Sequence, residues 1–189
     1  MKRLVIFASG NGSNAERVIT YFRENKLAEV VLILTNNPKA GVIDRAKRLS
    51  VPCEIFDRKA FYESDQVLTR VQDAQPDLII LAGFLWKCPS SLIAHFPDQI
   101  INIHPSLLPK YGGKGMYGLH VHEAVIANQE KESGITIHYI NEHYDQGAII
   151  RQEKTIVSPT DTPDSLAQKV HALEYQYFPI VIEQLLQKV

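Results

Sequence analysis

An uninterrupted apolar run, Leu4-Val5-Ile6-Phe7-Ala8, precedes the apolar positions Ala15, Val18, Ile19 and Phe22 and then a second run, Val30 to Leu34. The middle set has the i, i+3, i+4, i+7 spacing of one helix face, whereas the flanking runs lack the alternation of a strand with one wet face. Strands covered on both faces belong to parallel sheets with helices above and below. This order therefore predicts a βαβ unit and an α/β fold. The pattern continues with a helix near Val42 to Leu49, a strand Cys53 to Phe56, a helix Gln66 to Ala74 and a strand Leu78 to Ala82. A short helix Ser90 to His95, a strand Ile100 to Ile103 and a helix Val121 to Asn128 follow.

The periodicity then changes. Ile135, Ile137 and Tyr139 alternate with Thr136 and His138, and Ala148 to Val157 alternates likewise around Asp145-Gln146-Gly147, which reads as an antiparallel hairpin. The last helix begins near Pro163 with Thr162 as cap and carries a stripe of Leu166, Val170, Leu173 and Tyr177. Pro179 is expected to kink or break it. The expected architecture is one Rossmann-like α/β domain over residues 1–189, with a mostly parallel central sheet and an antiparallel hairpin near the C-terminal part.

Composition removes several function classes. With 45% hydrophobic residues the chain can bury a core, and 20 Lys plus Arg against 21 Asp plus Glu leave no net field to attract a nucleic acid or an anionic membrane. The longest apolar stretch, Leu78 to Trp86, falls well short of the roughly 20 residues that span a bilayer. Cys53 and Cys88 stand alone in no metal-type spacing, which fits a reducing compartment. A soluble, cytoplasmic protein is expected.

Three places carry chemistry. Gly10-Asn11-Gly12-Ser13-Asn14-Ala15 lies between the first strand and the first helix, where glycines let the backbone approach an anion and helix amides point at it. A tight turn capped by Ser13 or Asn14 would look the same. The loop fits a dinucleotide fingerprint, but Thr35-Asn36-Asn37-Pro38 stands where that reading needs an acid, and no Gly-Lys-Ser/Thr makes it a P-loop. Asn102 and His104 end a strand two positions apart and so share a face, at the sheet end where open α/β folds bind ligands. A His can move protons near neutral pH and a carboxamide can donate to an oxyanion, a pair suited to acyl-type transfer. A hydrogen-bonded core pair is the plainer alternative. Asp145 by itself is an ordinary turn-former. The glycine-rich segment Tyr111 to Gly118 suits a mobile loop near a site.

Four segments together resemble the phosphoribosylglycinamide formyltransferase family: Ser9-Gly10-Asn11-Gly12-Ser13-Asn14, Leu81-Ala82-Gly83-Phe84, Asn102-Ile103-His104-Pro105-Ser106-Leu107-Leu108-Pro109, and Asp145-x-Gly147. The resemblance covers essentially the whole chain, with Gly134 to Tyr139 and Glu174 followed by Pro179 as further matches. It implies transfer of a formyl group from 10-formyltetrahydrofolate, a co-substrate, to the amine of glycinamide ribonucleotide in purine biosynthesis. By that resemblance His104 moves protons, Asn102 stabilises the oxyanion and Asp145 orients His104. The resemblance also places Gly12, Ser13, Asn14, His171 and Glu174 at the ribonucleotide. Reduced folate falls to Leu85, Trp86, Lys87, Cys88, Asn102, Asn141, Glu142, His143, Tyr144 and Asp145, with Thr136 and His138 supporting Asp145. The N-terminal half would then bind phosphate and the C-terminal half folate.

Three features depart from better-known members. Trp86 and Ser64 stand where arginines are common, and the Tyr111 to Tyr117 loop is longer, so Arg58, Lys59 or Lys114 is expected to supply positive charge. No metal is expected, because His120 and His122 diverge at a helix start. A monomer or homodimer acting on small molecules, without nucleic acid or membrane, completes the expectation. Rivals are a 10-formyltetrahydrofolate deformylase, which usually carries a preceding regulatory domain, a transfer-RNA formyltransferase, which needs a further C-terminal domain, and a non-catalytic nucleotide-binding module.

Overall fold

The computed structural model describes residues 1–187. Seven strands form one sheet: β1 (Lys2–Phe7), β2 (Ala28–Thr35), β3 (Cys53–Ile55), β4 (Leu78–Leu81), β5 (Ile100–His104), β6 (Glu132–Tyr139) and β7 (Ile149–Ile156). Their order is β3-β2-β1-β4-β5-β6-β7, with the first five parallel and β6 and β7 antiparallel, as the apolar runs and the later alternation predict. Among the described residues the helices are α1 (Ser13–Asn25), α2 (Val42–Arg48), α3 (Arg58–Tyr62), α4 (Gln66–Ala74), α5 (Ser90–His95), α6 (Leu119–Ala127) and α7 (Pro163–Leu186).

The two-residue period of β1 divides the core. Leu4 and Ile6 pack with α1, α6 and α7 on one face, while Val5 and Phe7 join residues of α3, α4 and α5 on the other. Strand order reverses between β1 and β4. That switch point opens a crevice at the carboxyl ends of the strands, and the loops leaving β1, β4 and β5 all empty into it.

The structure departs from the sequence expectations at α3 and α7. Helix α3 was not foreseen: five residues are too few for a periodic stripe, and its signal is Asp57, whose carboxylate caps Ala60 N at 2.8 Å. Helix α7 does not break at Pro179 but runs on to Leu186. Proline supplies no N–H to the carbonyl four residues earlier, that of Tyr175. Arg17 Nε fills the vacancy, donating to Tyr175 O at 3.0 Å, while Phe178, Pro179, Val181 and Ile182 are all buried. The buried stripe is Leu166, Val170, Glu174 and Phe178, with Leu173 and Tyr177 only partly covered. The Thr162 cap is present, closed into a capping box with Ser165.

At Gly134, paired with Lys154 of β7, β6 has no room for a side chain. A Cβ there would collide with the Glu153 carbonyl oxygen of β7 and press on Leu107 Cδ2 at 2.9 Å. Gly134→Ala is expected to cost about 3 kcal/mol through forced backbone displacement, read as a lower midpoint in thermal unfolding.

Candidate active site

Helix α1 starts without a side-chain cap: Gly12 is its N-cap in the left-handed region (φ 77°), and neither Ser13 nor Asn14 turns back to bond the helix. A Cβ at Gly12 would fall 2.5 Å from Val42 Cγ2, so only glycine lets the loop lie against α2. The capped-turn alternative is thus not how this loop is built, and the helix amides face the crevice. Asn36 and Asn37, which stand where a ribose-binding acid would be, instead tie the loop to β2. Ser9 Oγ donates to Asn36 Oδ1 at 2.7 Å and Asn37 Nδ2 donates to Ser9 O at 3.1 Å.

Asn14 reaches across to α7, where its Nδ2 donates to Glu174 Oε2 at 2.8 Å. The same oxygen lies 2.8 Å from His171 Nδ1. Glu174 is 4% exposed, so these contacts stabilise a carboxylate inside the apolar stripe of α7. The Glu174 hydrogen bond in turn raises His171 above the ordinary imidazole value.

The second group forms at the end of β5. Antiparallel register sets Asn102 opposite His138 and His104 opposite Thr136. His138 Nδ1–H donates to its neighbour's carbonyl, Tyr139 O at 2.9 Å, so Nε2 accepts from Asn102 Nδ2 at 3.1 Å. Burial holds His138 below the usual histidine range, which keeps that acceptor neutral. One N–H of the Asn102 carboxamide is thereby fixed and the other remains to donate.

His104, 4% exposed, donates from Nε2 to Tyr111 O at 2.7 Å and turns Nδ1 toward Asp145 Oδ2 at 3.6 Å. The ring is oriented by the Tyr111 carbonyl, with Asp145 acting across a gap longer than a hydrogen bond. Asp145 also faces His138 Nε2 at 3.7 Å through Oδ1, and its Oδ2 accepts from Gly113 N at 2.8 Å. It therefore connects both histidines to the glycine-rich loop. Thr136, expected beside Asp145, bonds elsewhere: Oγ1 donates to Ser106 O at 2.7 Å and accepts from Leu108 N at 3.0 Å. It shapes the turn after His104.

These residues border one cavity of about 790 Å³, within the usual range for small-molecule sites. Gly12, Ser13, Asn14, His171 and Glu174 lie on its wall, as do Leu85, Asn102, His104, Tyr144 and Asp145. The other proposed folate residues lie outside it. Trp86 packs on Phe56, Phe61 and Tyr62, the Lys87 carbonyl accepts from Tyr62 Oη at 2.8 Å, and burial pushes the Cys88 thiol up to about 12. Asn141 closes the β6–β7 loop on Gln146 O at 3.1 Å and on His143 N at 2.9 Å, with Glu142 and His143 exposed. Of the three candidate cations, Lys114 reaches the wall, whereas the Arg58 guanidinium stacks on the Tyr62 ring at 5.2 Å.

Sequence reasoning missed His122. It is 2% exposed on the cavity wall, its Nδ1 has no partner, and burial pushes its pKa down to about 4. The signal was the pair His120 and His122, weighed only as metal ligands. Among the described residues no group of three or more His, Cys, Asp or Glu is placed to hold a metal, and no helix is long and apolar enough to cross a membrane.

Comparison with known proteins agrees with this geometry. The Formyl transferase family matches residues 2–182. A Bacillus subtilis protein named phosphoribosylglycinamide formyltransferase is 36% identical over 191 residues, covering 98% of this chain and 95% of its own. The chloroplastic protein of that name from Arabidopsis thaliana is 36% identical over 187 residues, 96% of this chain but 64% of its own length, so the chain spans just under two thirds of that relative. A crystal structure of phosphoribosylglycinamide formyltransferase from Bacillus halodurans superposes with a TM-score of 0.89 at 37% identity, covering 99% of this chain and 96% of that one. With family, relatives and fold in agreement along nearly its whole length, the chain belongs to the formyl transferase family.

Proposed function

We propose that this protein transfers a formyl group from 10-formyltetrahydrofolate to the primary amine of N1-(5-phospho-D-ribosyl)glycinamide, a step of purine biosynthesis in the cytoplasm. The observation that carries the proposal is the opening of two built groups into one cavity: the uncapped N-terminus of α1, and the Asn102–His104–Asp145 set. A phosphate suits the first and an acyl-type transfer the second. The folate supplies the formyl carbon and a departing ring-side nitrogen. Leu85 and Tyr144, 44% and 37% exposed on the cavity wall, offer that co-substrate an apolar surface.

When the amine attacks the formyl carbon, negative charge gathers on oxygen and an excess proton on nitrogen. Asn102, held by His138, gives its remaining N–H to the oxygen. His104 accepts the proton from nitrogen, and Asp145 stabilises the resulting imidazolium from 3.6 Å. The same proton then returns to the departing folate nitrogen. His171 and Glu174 sit at the ribonucleotide end, and the Gly113 N–H bonded to Asp145 holds the glycine-rich loop against the centre.

Purified protein is expected to form formylglycinamide ribonucleotide and tetrahydrofolate in equal amounts, with turnover requiring the amine acceptor. Formate released at the same rate without acceptor would identify a deformylase instead. Nucleotide binding without any turnover would leave a binding module.

A further inference from the structure

The first turn of α6 puts both Leu119 and His122 on the cavity wall. The mechanism above leaves His122 idle, yet its side chain is 2% exposed and its Nδ1 is shut away without a hydrogen-bond partner. Among the described residues neither ring nitrogen bonds a protein group. An imidazole in that state gives up its hydrogen bonds to water and regains none. Because Nδ1 is shielded, Nε2 is the nitrogen through which this wall residue can meet a ligand. A stranded buried N–H is rarer in proteins than a stranded acceptor, which places the proton on Nε2 and leaves Nδ1 bare. Burial holds the ring down to about 4, so it is uncharged near neutral pH. The cavity thus has a fixed, neutral donor in its wall.

The position of the ring narrows the acceptor. His104 on one side and His171 with Glu174 on the other all act on its charge, so it stands between the reacting centre and the ribonucleotide end. Those neighbours have partners of their own: Glu174 Oε2 meets Asn14 Nδ2 and His171 Nδ1, each at 2.8 Å, and His104 Nε2 donates to Tyr111 O at 2.7 Å. In N1-(5-phospho-D-ribosyl)glycinamide the group between the ribose and the attacking amine is an amide, and its carbonyl oxygen is a neutral acceptor. A neutral donor suits it, because their pairing buries no ion.

We infer that His122 is a specificity-determining residue for the acceptor substrate: its Nε2–H donates to the carbonyl oxygen of the glycinamide amide and aims the terminal amine at the formyl carbon. The inference rests on the ribonucleotide reading of the cavity. One methylene separates that carbonyl from the amine, so fixing the oxygen restricts where the nucleophile can swing. The two histidines then divide the work. His104, beside Asp145, accepts the proton of the attacking amine, whereas His122 orients the amine and is too weak a base to take that proton.

The test is a cycle of one side chain against one substrate atom. Steady-state kinetics of wild type and His122 variants are measured with glycinamide ribonucleotide and with its thioamide, in which sulfur, a weak acceptor, replaces the carbonyl oxygen. With the natural substrate His122→Leu is expected to lose roughly tenfold in kcat/KM for the ribonucleotide, the scale of one hydrogen bond, with KM for the folate unchanged. His122→Gln, which carries an N–H at similar reach, should recover most of that loss. The thioamide should cost wild type roughly tenfold and His122→Leu almost nothing further. Leucine also removes the stranded Nδ1, so the variant should unfold at no lower a temperature than wild type. His122→Phe, run alongside, gives the same comparison on a ring of similar shape. Unchanged kcat/KM in His122→Leu and His122→Phe, or equal thioamide penalties in wild type and these variants, overturns the inference and leaves the ribonucleotide reading intact. Absence of any product from the ribonucleotide with folded wild type overturns that reading and the inference with it.

Discussion

Replacing His104 by Ala is expected to lower kcat by about 10³-fold, within the range attributed to positioned acid–base groups, while glycinamide ribonucleotide binds within about twofold of wild type. The separation follows from geometry. His104 stands at the end of β5, and the loop proposed to hold the phosphate leaves β1, two strands away in the order β1-β4-β5. The imidazole does more than carry a proton, however, because its Nε2–H satisfies the Tyr111 carbonyl at 2.7 Å. Alanine would leave that carbonyl, at the root of the glycine-rich loop, only the long contact from Ser106 Oγ at 3.5 Å. His104→Gln keeps a donor there with no titratable nitrogen, so it should restore the loop but not the rate. Steady-state turnover and direct ribonucleotide titration on both variants check this. A glutamine variant turning over within tenfold of wild type would show that the histidine only props the loop.

Why these positions were readable from sequence, and others were not, follows from the range of the interactions. The strands announced themselves because β1 and β4 are covered on both faces, which leaves no room for polar side chains. Asn102 and His104 were legible as a pair because a period of two is a local property of one strand. His138 opposite Asn102 depends on β5–β6 register across 36 positions, and Asn14 against Glu174 depends on a contact across 160. Neither is written in any window of sequence. Glu174 did leave a local trace, since it occupies the helical stripe between Val170 and Phe178, where a carboxylate must find partners. Leu173 and Tyr177, which extend an apolar stripe of their own from Leu166 and Val170, mask that trace. Pro179 shows the converse, a strong local rule overridden by a distant donor, Arg17. His122 required the cavity itself to be seen.

Asp145→Asn is expected to match the His104 loss by a different route. The substitution keeps the shape of the side chain and removes its charge, so the imidazolium formed at His104 loses a counter-charge 3.6 Å from Nδ1. At an effective dielectric of about 20 that interaction is worth about 4 kcal/mol, or roughly 10³-fold in rate. A second effect adds to it. Asp145 is left-handed at φ 54°, a conformation Asn tolerates well, so the loop should keep its path. One amide oxygen can still accept from Gly113 N, but the amide nitrogen then turns toward His138 Nε2, 3.7 Å from Oδ1 in the native arrangement. That nitrogen would compete with Asn102 for the acceptor on His138 and release the carboxamide aimed at the oxyanion. Asp145→Asn combined with Asn102→Ala should therefore lose less than the product of the two single losses, because the first substitution already disables part of what the second removes. Strictly multiplicative losses in kcat would mean that His138 does not couple the two residues. A single Asp145→Asn variant within tenfold of wild type would show that the transferred proton never rests on His104.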